Sequence, residues 1–142
     1  MVTEDSVAVV RAAEASYNRN DRKGFESVLA NDVEGHDPSI PEALKGREAV
    51  MAWFGKGHSI FPDLRMAPVR TTAGGGQVAV EYVETGTHEG AFPGPGGRPI
   101  GPTHKSFKHR LCIVYRVENG KIVEFRLYWD VLGVMAQLGL GG

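Results

Sequence analysis

Asp130 and His109 are the two residues whose types and positions most readily make an acid/base couple. A carboxylate beside an imidazole orients the ring and favours its charged form, which suits proton transfer near neutral pH. A hairpin would bring them together. Phe107 to Val117 and Lys121 to Trp129 are strand-like runs around Asn119-Gly120, a pair favoured at a tight type I′ turn. Counting outward from a two-residue loop sets Glu118 opposite Lys121, Tyr115 opposite Glu124 and Ile113 opposite Arg126. The same count sets Leu111 opposite Tyr128 and His109 opposite Asp130. Opposed residues share a face, with Cβ atoms about 4.5–5.5 Å apart. One face then carries Glu124, Arg126, Tyr128, Asp130 and His109 among Leu111, Ile113 and Tyr115. The other carries Cys112, Val114, Val123, Phe125, Leu127 and Trp129. A single bulge would invert this parity and separate the pair.

Each candidate also has a plainer reading. Asp130, standing before Val131-Leu132, suits the N-cap of a helix, and a carboxylate bonded through one oxygen still accepts a proton through the other. His109 is otherwise a surface histidine at a strand end. His88, ending another strand, and His36, before Asp37-Pro38, either line the mouth of a ligand site or solvate strand ends. His58 and His104 read as structural. Arg126 either pairs with Glu124 or binds an anionic oxygen. Tyr17, Trp53, Phe54, Phe61 and Tyr128 are core residues, some of which would line a cavity, and Tyr17 and Trp53 carry polar tips suited to a ligand. The histidines lack the spacing of a metal-ligand set, so no metal is expected. The Gly-rich stretch 94–97 has neither the Lys-Ser/Thr nor the strand-to-helix setting of a phosphate loop.

The elements that must position these residues follow from periodicity. Thr3 to Asn18 reads as a helix with Val7, Val10, Ala13 and Tyr17 on one side, its acidic Glu4 and Asp5 suiting the N-terminal end. Arg22 to Ala30 makes a short second helix, and Asn31 to Glu34 a short strand. After Gly46 a third helix runs to Phe61, with Val50, Trp53, Phe54 and Ile60 as its stripe, and Pro62 stops it. Leu64 to Thr71 and Gln77 to His88 are strands about a Gly74-Gly75-Gly76 turn. Residues 89–104 are dense in Gly and Pro, which predicts a loop or lid unable to join a ladder. Val131 to Leu140 closes the chain as a helix. Helices early and strands late predict an α+β domain: a curved antiparallel sheet with the helices on its concave face and one end open as a ligand site.

With 142 residues the chain is expected to be one domain, 1–142, long enough to bury roughly 68–70% of its unfolded surface. Its 16 basic and 17 acidic residues, without a long run of one sign, point away from nucleic acid and from anionic membranes. No apolar run approaches the ~20 residues that span a bilayer. The lone Cys112 forbids an intrachain disulfide, and the acidic N-terminus is unlike a signal peptide, so a cytoplasmic location is expected.

Five strings, in order, resemble the SnoaL-like polyketide cyclase group of the NTF2-like superfamily. They are Gly46-Arg47-Glu48-Ala49-Val50, Phe61-Pro62-Asp63-Leu64, Gly86-Thr87-His88-Glu89-Gly90, Asn119-Gly120-Lys121-Ile122-Val123-Glu124, and Asp130 through Gln137-Leu138-Gly139-Leu140. The resemblance implies a cone-shaped α+β barrel, a homodimer through the outer sheet face, and chemistry without metal or cofactor. It also implies an acid at the end of the last long strand, the position of Asp130. Fold does not fix chemistry here, since the superfamily also hosts isomerases, hydrolases, dehydratases and binding proteins. Epoxide-hydrolase relatives carry an Arg-x-Asp where this chain has Val80-Glu81-Tyr82-Val83. Ketosteroid isomerases use a phenol and a carboxylic acid as an oxyanion hole, of which only Tyr17 has a counterpart. The expectation is an acid/base enzyme acting on an apolar, carbonyl-bearing small molecule, with Asp130 as base and His109 or a nearby group as donor. Its alternatives are a protein that binds a hydrophobic molecule without chemistry, and an interaction domain using the outer sheet face.

Overall fold

The computed structural model describes residues 3–140. Three helices precede most of the sheet: α1 (Thr3–Asn18), α2 (Arg22–Ser27) and α3 (Arg47–Ile60), with β1 (Leu29–His36) and β2 (Leu44–Lys45) between α2 and α3. The long strands follow, β3 (Arg65–Gly74) and β4 (Gln77–Thr87), then the small hairpin β5 (Phe92–Pro93) and β6 (Pro99–Ile100). β7 (Ser106–Glu118), β8 (Lys121–Tyr128) and α4 (Val131–Gln137) complete the order. Six strands form one sheet in the order β2-β1-β8-β7-β4-β3. Among the described residues, no helix is long and apolar enough to cross a membrane.

The structure departs from the sequence reading at several places, beginning with α2, which ends at Ser27 and leaves Leu29 and Ala30, expected in the helix, to open β1. The sheet is antiparallel except where β1 runs parallel to β8, a long-range pairing that no turn signal announces. The Gly/Pro segment does make a ladder, although a separate one: Phe92 pairs with Ile100 and Pro93 with Pro99. Proline lacks an N–H but can occupy an edge, and a two-stranded hairpin consists only of edges.

The core fills the space between helices and sheet. Val10, Ala13 and Tyr17 from α1 meet Val50, Met51 and Phe54 from α3 over Val78, Val80 and Tyr82 of β4 and Leu111, Ile113 and Tyr115 of β7. Along β7 every second residue from Phe107 to Val117 points inward.

The β7–β8 hairpin turns at Asn119-Gly120, both with positive φ (52° and 75°), as a type I′ turn requires. Glu118 opposes Lys121 and Val117 opposes Ile122 as counted, but Arg116 then opposes Glu124. Val123 is the extra residue of a β-bulge, and it inverts the parity of everything beyond it. Tyr115 opposes Phe125, Ile113 opposes Leu127, and Cys112 opposes Tyr128. The bulge has a clear physical reason. Without it Glu124 and Arg126 would face the core, and uncompensated buried charges cost several kcal/mol. With it Phe125 is buried, while Glu124 and Arg126 pair at 2.6 Å on the other face. His109 and Asp130 therefore do not face each other. Phe125 and Leu127, expected on the outer face, belong to the inner one.

Candidate functional site

A cavity of about 610 Å³ opens between α1, α3, α4, the β5–β6 hairpin and the inner face of the sheet. Its walls are mainly apolar and aromatic: Trp53, Phe54 and Phe61 from and after α3, Phe107 and Leu127 from the sheet, Val134 and Met135 from α4. Phe92 and Pro93 add a wall from the hairpin. The ionisable side chains among its lining are Tyr17, Asp37, Lys56 and Glu84. Apolar walls with few convergent polar groups are the usual make-up of a small-molecule site.

Glu84 is brought inward by strand alternation. Val78, Val80 and Tyr82 are buried at every second position of β4, and Glu84 is next in that phase. Across the ladder it stands opposite His109 of β7. His109 Nε2 lies 2.8 Å from Glu84 Oε1, with side-chain exposures of 7% and 13%. A carboxylate accepts, so Nε2 carries the proton and donates. The other ring nitrogen, Nδ1, is buried without a hydrogen-bond partner. A neutral imidazole leaves only a bare lone pair there, whereas an imidazolium would bury an unpaired N–H. The ring is wedged between Phe107 and Trp129, at centroid distances of 5.4 and 5.6 Å.

Tyr17 completes this group from α1. Burial first, then the negative charge of Glu84, hold its phenol well above the usual value, with hydrogen bonding to Glu84 acting in the same sense. The phenol thus stays protonated. Glu84 is a carboxylate at the wall of an apolar cavity with an imidazole N–H on one side and a phenol on the other. Such a group can accept a proton from a bound molecule and hold it between donors.

Asp37 is a second carboxylate of the wall, and it serves two indoles. Trp53 Nε1 donates to its Oδ2 and Trp129 Nε1 to its Oδ1, each at 3.0 Å. The Ser39 backbone N–H and hydroxyl donate to Oδ1 at 2.9 and 2.8 Å. Four donors on two oxygens leave this acid engaged in holding α3, the end of β8 and the loop after β1 together.

Of the residues singled out by sequence, Tyr17, Trp53, Phe54 and Phe61 line the cavity. Asp130 does not: it is exposed, and its Oδ1 accepts from the Gly133 N–H at 2.9 Å as the N-cap of α4. Arg126, Tyr128 and His36 lie on the opposite side of the bulged hairpin, around a separate shallow groove. There Arg126 bonds Glu124 and, at 3.3 Å, the Tyr128 hydroxyl, while His36 Nε2 sits 3.2 Å from Glu34. His88 is fully buried rather than at the mouth. Its Nδ1 accepts from the Thr103 N–H at 3.2 Å, and its ring packs on Phe61 and Phe92. His58, read as structural, is also buried. Among the described residues, no group of three His, Cys, Asp or Glu side chains gathers as a metal ion would need.

Glu84 and Asp37 are the two acids that sequence reasoning missed. The signal for Glu84 was present, because an acid in phase with Val78, Val80 and Tyr82 is an acid aimed inward. Asp37 carried no comparable signal, since His-Asp-Pro-Ser reads simply as a turn.

A family model described as SnoaL-like polyketide cyclase matches residues 7–138. Among solved structures, a candidate SnoaL-like polyketide cyclase from Jannaschia sp. CCS1 superposes with a TM-score of 0.84 at 20% identity, over 96% of this chain and 93% of that one. IdmH, a candidate polyketide cyclase from Streptomyces antibioticus, is 25% identical, with a TM-score of 0.77 over 94% of this chain and 98% of its own. A protein of ketosteroid isomerase-like fold from Catenulispora acidiphila gives a TM-score of 0.77 at 21% identity, over 93% and 92% of the two chains. No curated protein matches the chain significantly. The shared fold is the one described above, helices packed on a curved sheet.

Proposed function

The chain belongs to the SnoaL-like polyketide cyclase family, and from that premise we propose that it catalyses proton transfer on an apolar, carbonyl-bearing small molecule, with Glu84 as the base. One observation carries the reading: a carboxylate at the wall of an apolar cavity, backed at 2.8 Å by a buried imidazole.

Glu84 takes a proton from the carbon next to a substrate carbonyl, and the C–H electron pair moves to the carbonyl oxygen. Tyr17, its phenol kept protonated, turns its O–H from Glu84 to the developing oxyanion. In ring closure the enolate carbon bonds to a second carbonyl carbon of the same molecule, whose oxygen receives the proton back from Glu84. Nothing is consumed, and the carboxylate returns to its starting state. His109 holds Glu84 in place through Nε2–H and does not itself touch the substrate. The cavity walls hold the two carbonyls in reacting distance, which is where most of the advantage of an intramolecular reaction arises. Aldol cyclisation is the family-like outcome, and the polyketide cyclase name given to IdmH supports ring closure. The N-cap role and exposure of Asp130 favour Glu84 over it as the base.

The test uses β-tetralone, an apolar ketone with acidic α-protons, in deuterated buffer. The wild-type protein is expected to accelerate α-deuteration, and Glu84→Gln to lose about 10²–10⁴ of that acceleration, the usual contribution of general base catalysis. Binding of β-tetralone without acceleration would instead favour a protein that holds such molecules without chemistry. Unchanged exchange in Glu84→Gln would remove Glu84 from the mechanism.

A further inference from the structure

His58 lies in the last turn of α3, 5% exposed, and plays no part in the chemistry above. Its two ring nitrogens meet two backbone carbonyl oxygens. Nδ1 is 2.9 Å from Phe54 O, and Nε2 is 2.8 Å from Tyr17 O. Carbonyl oxygens only accept, whereas a neutral imidazole has a single N–H and would direct its bare lone pair at one of them. Both contacts are hydrogen bonds only when both nitrogens carry protons.

The surroundings suit a cation. Tyr17 is in the last turn of α1, so the imidazole joins the C-terminal ends of two helices, where partial negative charge gathers. Its ring stacks on Phe54 at 4.3 Å and meets the Tyr17 ring edge-on at 4.6 Å. Aromatic rings packed around a cation supply further attraction. Among the described residues, the titratable and charged groups that pack on this stack from the other elements are Tyr17 on α1, Arg22 on α2 and, against Tyr17, Glu84 on β4. Tyr17 is held protonated, and the Arg22 guanidinium carbon lies 6.0 Å from the Phe54 centroid. Arg22 opposes a second cation; the two carbonyl bonds oppose its loss.

We propose that His58 is a doubly protonated imidazolium that pins the end of α1 to α3 and so fixes the Tyr17 phenol in the cavity. His58 is then a positioning residue: it bonds the backbone of Tyr17 and packs against its ring. The protonation state stands on hydrogen-bond geometry alone; the effect on turnover rests on the role proposed for Tyr17.

Two measurements on the intact chain separate these parts. Nitrogen NMR of the wild-type imidazoles at neutral pH is expected to show one histidine with both ring nitrogens protonated and two slowly exchanging N–H protons. Through-space contacts to the Tyr17 and Phe54 rings identify it without any variant. A bare nitrogen on His58 would overturn the proposal. In the second measurement, His58→Gln is expected to slow β-tetralone deuteration by about tenfold to a hundredfold, as displacement of a reacting group does. In the same variant the NMR contacts between Tyr17 and Glu84 should weaken. Unchanged exchange and contacts would refute the positioning role. An absence of exchange in the wild type counts against the proposed chemistry alone, because the nitrogen spectrum does not depend on it.

Discussion

Glu84 and His109 stand directly opposite each other on β4 and β7, and their side chains meet at 2.8 Å on the inward face. An imidazole and a carboxylate do come together at the cavity, but the acid is supplied by the neighbouring strand and not by the end of β8. Asp130 caps a helix instead.

The two acids should separate cleanly on substitution. Glu84→Gln keeps an acceptor for His109 and removes the base, so deuteration of β-tetralone should fall by about 10²–10⁴ with the fold intact. Asp130→Ala removes the N-cap of α4 and should cost about 1 kcal/mol in denaturant unfolding, while deuteration stays near wild type. The reverse pattern would restore Asp130 as the base and reduce the Glu84–His109 pair to a structural contact.

Asp37 offers a spectroscopic handle, since both tryptophans of the chain donate to its carboxylate. Asp37→Ala leaves two indole N–H groups without their acceptor. Lost bonds to a charged, mostly buried group should cost about 1.5–3 kcal/mol each if no water replaces it. Tryptophan emission should shift and broaden, and Tm should fall. Emission identical to wild type would mean that neither indole relies on Asp37.

The strands and long helices were legible because their periodicity is strong: α1 and α3 lie within a residue of their expected bounds. The facing of β8 was misread for a local reason. Ile122 is buried, and so is Phe125, three residues on. Two inward residues at odd spacing on one strand demand a bulge, and the run Ile122-Val123-Glu124-Phe125 therefore contained the warning. Turn chemistry at Asn119-Gly120 fixes where the hairpin begins, but the cost of burying Glu124 and Arg126 decides which face follows. The β1–β8 pairing and the Asp37 clamp were not legible, since each joins distant segments through contacts that leave no periodic trace.

High pH should destabilise the protein through its buried phenols. Burial raises Tyr17, Tyr82 and Tyr115 above the ordinary phenol value, and nearby negative charge, Glu84 for Tyr17 and Glu14 for the other two, acts in the same sense. Tyr82 donates to Glu14 and shares a 2.7 Å bond with Tyr115. An unfolded phenol releases its proton near pH ~10, whereas the folded one keeps it, so the native state binds more protons above that pH. The contribution is fully present below pH ~10 and is lost as pH rises toward the folded values. Phenolate absorbance should therefore appear in two parts, the larger coinciding with loss of the circular dichroism signal. Titration of all four tyrosines before any unfolding would contradict the burial.

The β5–β6 hairpin, finally, owes its place on the cavity wall to its root. The Glu89 and Gly90 N–H groups both donate to Ile60 O, at 3.0 Å each, occupying a carbonyl at the end of α3. The fit is close: a Cβ added to Gly90 would lie 2.0 Å from Ser59 O and 3.1 Å from Ile60 Cα. Both are backbone atoms and cannot rotate aside. Gly90→Ala must therefore lift the root from the helix, losing two bonds worth about 0.5–1.5 kcal/mol each. Phe92, which packs on Phe61 and His88, would be drawn from the wall with it. Amide hydrogens of the hairpin and its root should then exchange faster than in wild type, and β-tetralone should bind more weakly, while unfolding of the main sheet stays cooperative. Equal amide exchange rates would show that the hairpin is held by the His88–Thr103 contact instead, leaving the backbone bonds to Ile60 incidental.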